Sequence, residues 1–135
     1  MPEGPLHRGL LDTSVIVDLE RLNPESLPLE WAVSAITMAE LTAGPLAAAD
    51  PEERARRQHR LQWVEGTFEA IPVDASVVRA YGLVYGAAQA SGRKSRRRSF
   101  DLLIAATALA EQLPLFTRNP KDFEDLGSLI DVCPV

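Results

Sequence analysis

Four acidic residues, Asp12, Glu40, Asp101 and Asp122, stand in four separate segments at places where a carboxylate can do chemistry. Asp101 is the most telling. Apart from Asp101 and Thr107, everything from Phe100 to Ala110 is apolar. The stretch therefore reads as a helix with no wet face, and such a helix is normally buried all round. A buried carboxylate is costly unless a cation or hydrogen-bond donors meet it. If the four acids converge, they repel one another and resist ionising, and a divalent cation removes that penalty. All-oxygen ligands of carboxylate type favour Mg²⁺ or Mn²⁺ over zinc, for which Cys and His are expected. The two histidines lie outside the acidic set, His7 in the N-terminal tail and His59 among arginines.

An acidic Mg²⁺ site suits phosphodiester hydrolysis, in which the metal polarises the phosphoryl oxygen and stabilises the leaving one. The net charge of −5 argues against a generic nucleic-acid coat, but its distribution is uneven. The basic residues gather in two windows: Arg54, Arg56, Arg57 and Arg60, then Arg93, Lys94, Arg96, Arg97 and Arg98. The second lies immediately before the Asp101 helix and can hold a phosphate backbone without reading sequence; its plainer reading is a solvated loop. Each acid also has a plainer reading as a helix cap. Asp12 precedes a helix, Glu40 fits a capping box begun by Thr37, Asp101 follows Ser99, and Asp122 opens a last helical turn. Capping explains Asp101 least well, because a solvated cap needs no apolar helix behind it. The sequence has no Walker A motif, G-x-G-x-x-G, G-x-S-x-G or zinc-type Cys/His spacing.

The elements that must position these acids follow from periodicity. Gly9 to Asp12 reads as a buried strand turning directly into a helix over Thr13 to Leu22. Trp31 to Ile36 reads as a second strand, with a helix starting at Thr37 and weakening at Gly44-Pro45. Asp50-Pro51-Glu52-Glu53 is a helix start, and the helix runs to about Gly66. Ala70 to Val73 reads as a short strand, placed at an edge by Pro72. Asp74 caps a helix ending near Ser91-Gly92. After the basic run and the Asp101 helix come a strand at Leu115 to Thr117, a turn at Asn119 to Phe123, and an edge strand at Leu129 to Val132. Strands alternating with helices imply a three-layer α/β domain with a short, mainly parallel sheet. Ligands of such sheets sit beyond the carboxyl ends of the strands, the edge where the four acids are expected to meet.

With 135 residues, 46% hydrophobic and 24% charged, the chain suits one domain over residues 9–135 behind a flexible tail over 1–8. The single cysteine, Cys133, excludes an internal disulfide. With no signal peptide, it points to a reducing cytoplasm. The longest uncharged apolar run, Leu102 to Ala110, is far short of the ~20 residues a membrane span needs.

Four stretches resemble PIN domains, and more narrowly the VapC-like toxins of bacterial type II toxin–antitoxin pairs. They are Leu11-Asp12-Thr13-Ser14, Ser34 to Leu41, Ser99 to Ala108, and Thr117-Arg118-Asn119-Pro120-Lys121-Asp122-Phe123. Their order covers nearly the whole chain. The resemblance implies a three-layer α/β/α PIN-like fold and a Mg²⁺- or Mn²⁺-dependent endoribonuclease cutting structured RNA such as tRNA or rRNA. It further implies a cognate antitoxin and a homodimer, with no organic cofactor. Carried over by position, Asp12, Glu40 and Asp101 match the central metal-binding acids. Asp122 is assigned as the fourth acid, acting from behind the ligands or through water. Thr117 and Asn119 give it polar support, and Thr13 and Ser14 orient Asp12 or a bound water. Two other functions fit the same residues: a catalytically silent PIN domain that binds RNA or a protein, and a receiver-like phosphoacceptor domain. The latter lacks the expected lysine after a late strand, where Thr117-Arg118 stands.

Overall fold

The strands of this chain alternate their side chains between two faces, and each face is covered by helices. The computed structural model describes residues 7–92 and 99–135. Strands β1 (Arg8–Leu11), β2 (Glu30–Ala32), β3 (Leu115–Thr117) and β4 (Val132–Pro134) form one sheet in the order β2-β1-β3-β4. Every pairing is parallel. Helices α1 (Thr13–Val17), α2 (Ala35–Ala47), α3 (Pro51–Thr67), α4 (Ala75–Ala90) and α5 (Ser99–Glu111) connect them. A 3₁₀ segment, Pro120–Leu126, follows β3.

Leu10, Ala32 and Leu115 point to one face, where they pack with Val77, Ala80 and Val84 of α4, with Leu102, Ile104 and Ala105 of α5, and with Phe123 and Leu126. Their neighbours in sequence, Leu11, Val33 and Phe116, point to the other and pack with Val15 and Ile16 of α1, Leu41 of α2, and Leu61 and Val64 of α3. This period-2 alternation gives the sheet two dry faces, as parallel strands require. The result is the expected α/β/α sandwich. β1 also runs tight against its neighbours: a Cβ on Gly9 would lie 2.4 Å from Cε1 of Phe116 and 3.0 Å from Cγ of Pro28. Only a residue without a side chain fits there.

Local chemistry sets most of the helix starts. Asp50 accepts from the Glu53 N–H at 3.1 Å with Pro51 in the first turn, and Asp74 accepts from the Val77 N–H at 3.1 Å. α2 departs from expectation. Its N-cap is Ser34, whose Oγ accepts from the Thr37 N–H at 3.0 Å, so the strand before it stops at Ala32 and Thr37 lies inside the helix. Ile71 fixes this start from outside, donating to the Val33 carbonyl and accepting from the Ala35 N–H. The expected strand around Ile71 is accordingly reduced to a single parallel bridge to Ser34, with Pro72 lacking the N–H to extend it. α2 also carries Pro45 within its last turn and ends only at Ala47. The final strand begins at Val132, because Leu129 and Ile130 both turn back to donate to the Leu126 carbonyl. β1 takes in Arg8; residues 1–6 of the expected tail lie outside the described residues. Among the described residues, no helix is long and apolar enough to cross a membrane.

Candidate active site

The chain leaves β1 towards β2 on one side, whereas β3 continues to β4 on the other. The crevice beyond the carboxyl ends of β1 and β3 is therefore the switch point of the sheet, where open parallel sheets place their ligands. Asp12 is the first residue beyond β1, and Thr117 is the last of β3. Both are buried, Asp12 at 5% and Thr117 at 0% exposure.

Asp12 occupies the N-cap position of α1 without using its side chain as a cap. Its backbone carbonyl receives the Val15 and Ile16 N–H groups. The carboxylate instead takes two hydroxyl protons on Oδ2, from Ser14 at 2.7 Å and from Thr117 at 2.8 Å. Those hydroxyls are held in turn, since the Arg118 N–H donates to Ser14 Oγ at 3.1 Å and the Asn119 N–H to Thr117 Oγ1 at 2.9 Å. Asp12 thus sits in a cradle of hydroxyls, themselves held by backbone amides, that fixes its carboxylate.

Glu40 lies two turns into α2, six residues past the Ser34 cap, and so is not a capping-box glutamate. Its Oε1 receives the hydroxyl proton of Thr13, the residue next to Asp12. Burial pushes the Glu40 carboxyl above its ordinary range; the Thr13 hydroxyl pulls it back, and the negative charge of Asp12 adds to the upward push. The two acids therefore feel each other across the crevice. A carboxyl with a raised folded-state pKa is harmless at pH below its ordinary value and costs stability as pH rises through the raised one. In metal-free protein, Glu40→Gln should melt above wild type at about pH 8, with the gap closing towards about pH 4, near the ordinary glutamate pKa. Parallel thermal scans in EDTA measure this, and a gap that widens on acidification would contradict it.

Asp101 is half-buried in the first turn of α5, a helix packed against α4 and touching α2. The helix is wet only at its ends: Phe100 is 48% exposed, while Ile104 to Ala108 are fully buried. Asp122 is exposed in the first turn of the 3₁₀ segment, its N–H bonded to the Asn119 carbonyl. The structure thus forms two hydrogen-bonded groups, Asp12 with Ser14, Thr117 and the Asn119 backbone, and Thr13 with Glu40 and Thr37, joined by the Asp12–Thr13 peptide link. Asp101 stands in the first turn of α5 and Asp122 in that of the 3₁₀ segment. Among the described residues, no three Asp, Glu, His or Cys side chains are grouped as a ready metal cage. A two-carboxylate site with hydroxyl neighbours still fits Mg²⁺, which keeps several of its waters and takes one or two protein carboxylates plus substrate phosphate.

Ser34 and Thr37 belong to the same site and were not singled out for it from the sequence. Thr37 Oγ1 lies 3.0 Å from Thr13 Oγ1 and accepts from Ser34 Oγ at 3.3 Å. Their signal was the Ser34-x-x-Thr37-x-x-Glu40 spacing, which sets polar groups about one turn apart along α2. Of the two basic windows, Arg56 and Arg57 pair with Glu53, Arg54 and Arg57 bind the Ala48 and Gly44 carbonyls, and Arg60 reaches the Val17 carbonyl. That window ties helices together. Arg93, Lys94, Arg96, Arg97 and Arg98 lie outside the described residues.

Residues 9–129 match the PIN domain family. Ribonuclease VapC4 of Mycobacterium tuberculosis is 36% identical over 130 residues, covering 94% of this chain and 95% of its own. Ribonuclease VapC5 of the same organism is 36% identical over 127 residues, covering 92% and 91%. Among solved structures, the VapBC-5 toxin–antitoxin member from M. tuberculosis aligns with a TM-score of 0.84 at 35% identity, covering 95% of this chain and 98% of that one. VapBC2 from Rickettsia felis, bound to a DNA fragment from their promoter, aligns at 0.72 with 26% identity, covering 91% and 96%.

Proposed function

Since this chain belongs to the PIN-domain family, among the VapC ribonuclease toxins of toxin–antitoxin systems, we propose that it is a Mg²⁺- or Mn²⁺-dependent endoribonuclease cutting structured RNA such as tRNA or rRNA. The observation that carries the reading is the pairing of Asp12 with Glu40 at the switch point of the sheet, each carboxylate receiving a hydroxyl proton. Asp12 and Glu40 would hold the cation, with Asp101 completing the set from α5. When bound, the cation supplies Lewis acidity at a phosphoryl oxygen and makes a water more acidic. The chain's own residues do the rest. Ser14 and Thr117 hold the Asp12 carboxylate in place. The Thr13 hydroxyl, donating to Oε1, holds Glu40 beside Asp12. Asp122 acts through water from the rim, beside Asn119. The basic run from Arg93 to Arg98 meets the phosphate backbone.

Within this reading the chain works in the cytoplasm as a homodimer, and a cognate antitoxin blocks the crevice. Membership of the PIN family removes the receiver-like alternative. A silent domain that only binds RNA or a partner is the remaining one, favoured by the lack of a three-acid cage among the described residues. Purified protein incubated with total RNA separates the two. Cleavage with Mn²⁺ that EDTA abolishes, and that falls at least about a hundredfold in Asp101→Asn, supports the enzyme. RNA retention without cutting, at saturating Mn²⁺, supports the silent domain.

A further inference from the structure

Around Asp12 the chain from Thr117 to Asn119 supplies one hydroxyl and two backbone amides, and the Arg118 side chain takes no part. The Arg118 backbone is fixed at the crevice, because its N–H donates to Ser14 Oγ, which itself donates to Asp12 Oδ2. From there the side chain runs along α1 towards Asp18, about one turn past Ser14. It stops short of a hydrogen bond: Nη1 lies 3.9 Å from Asp18 Oδ2, with each side chain about a third exposed. Arg54 and Arg57, by contrast, donate to carbonyls and Arg56 to a carboxylate. Among the described residues the Arg118 guanidinium donates to nothing, although it carries five N–H groups in a planar fork.

An exposed ion pair at this separation contributes little to stability, so Arg118 leaves it at small cost. Asp18 is not stranded by the loss, since Arg21 Nη1 also lies 3.9 Å from it, on Oδ1. Nor does the Asp18 side chain cap α1 or the turn that follows. A phosphate accepts two parallel N–H bonds from an arginine fork, at shorter range and with greater strength. The crevice has a use for such a cation: Asp12 and Glu40 are both acids, and a polyanion is repelled by whatever part of their charge a metal leaves standing. We propose that Arg118 is a substrate-binding residue: its guanidinium exchanges Asp18 for the phosphate oxygens of an RNA strand that enters the crevice along α1. The contact carries no base information. This role rests on the RNA-cutting function above and adds to it the residue that receives the backbone.

Replacing the two partners of the pair in turn separates this role from that of a clamp between α1 and β3. Retention of bulk tRNA on filters is read with the full chain at saturating Mn²⁺, in an Asp12→Asn background that cuts slowly. Arg118→Ala should weaken retention about tenfold at about 0.1 M salt. It should also make the fall of log affinity with log salt shallower by about one unit. Arg118→Lys, which keeps the charge and loses the fork, should keep the slope and lose about threefold in affinity. Asp18→Asn removes the competing carboxylate, and should leave retention unchanged or tighten it by up to about threefold. With Asp12 restored, Arg118→Ala should raise the KM for tRNA while kcat, and Mn²⁺ affinity by calorimetry without RNA, stay within about threefold of wild type. If Asp18→Asn weakens retention as much as Arg118→Ala does, the pair is a clamp and the proposal is overturned. An Arg118→Ala protein with unchanged affinity and salt slope overturns it too. A wild type that neither retains nor cuts tRNA overturns both this role and the function above; a wild type that does so, matched by Arg118→Ala, overturns this role alone.

Discussion

Asp12→Asn should slow RNA cleavage by about two to three orders of magnitude, the scale of losing one group that stabilises transition-state charge. Its melting temperature should stay close to that of wild type. Asparagine keeps a carbonyl oxygen where Oδ2 accepts from Ser14 and Thr117, so the cradle retains its acceptor. What it removes is the charge, and with it both the attraction for a cation and the repulsion felt by Glu40. Single-turnover cleavage at saturating Mn²⁺, beside a thermal melt of the same preparation, measures the two effects separately. A variant that cuts within about threefold of wild type would remove Asp12 from the chemistry, since capping cannot account for its side chain.

Phe123→Ala should destabilise the fold by about 3–5 kcal/mol, the range for truncating a buried aromatic side chain. Phe123 is fully buried, packed with Leu10, Leu115 and the inner faces of α4 and α5. Its neighbour Asp122 is exposed, so the 3₁₀ segment turns an acid to the surface while anchoring its other side in the core. A loss of that size is a large part of a typical domain's stability of about 5–15 kcal/mol. Urea titration should show a lower midpoint with an unchanged slope. A midpoint equal to that of wild type would mean that the core closes over the gap without cost. Phe123→Leu, which leaves a smaller void, should lose less.

The layer order and the site's location were legible because they follow from rules that act over the whole chain. Strands alternating with helices must pair in parallel, and ligands of such sheets gather where the connections diverge; Asp12 and Thr117 stand on that line 105 residues apart. The start of α2 was not legible, because Ser34-x-x-Thr37 and Thr37-x-x-Glu40 are equally good local caps. The choice between them was made by Ile71, a tertiary neighbour that holds Val33 and Ala35 on either side of Ser34. The strand expected at Ala70 to Val73 failed for want of a donor at Pro72. The one at Leu129 to Val132 slid onward because its apolar residues were taken by the turn at Leu126. The hydroxyls of Thr13 and Thr37, 24 residues apart, could be seen to touch only once both helices were in place. Asp101, a lone charge near the start of an otherwise apolar helix, lies in the first turn, where α5 is still partly wet.

The bond between Thr117 and Asp12 has a further consequence, for the order of synthesis. Thr117 is made 105 residues after the aspartate it bonds, and pairing between β1 and β3 must wait for both. Contacts of such long separation close late, because the loop entropy must be met before the contact contributes. β4, which covers the far edge of β3, consists of Val132–Pro134 and is made later still. A chain still being translated therefore carries Asp12 with the Ser14 hydroxyl and without that of Thr117. For a chain of a ribonuclease family, the topology delays assembly of the crevice until β3 has been made.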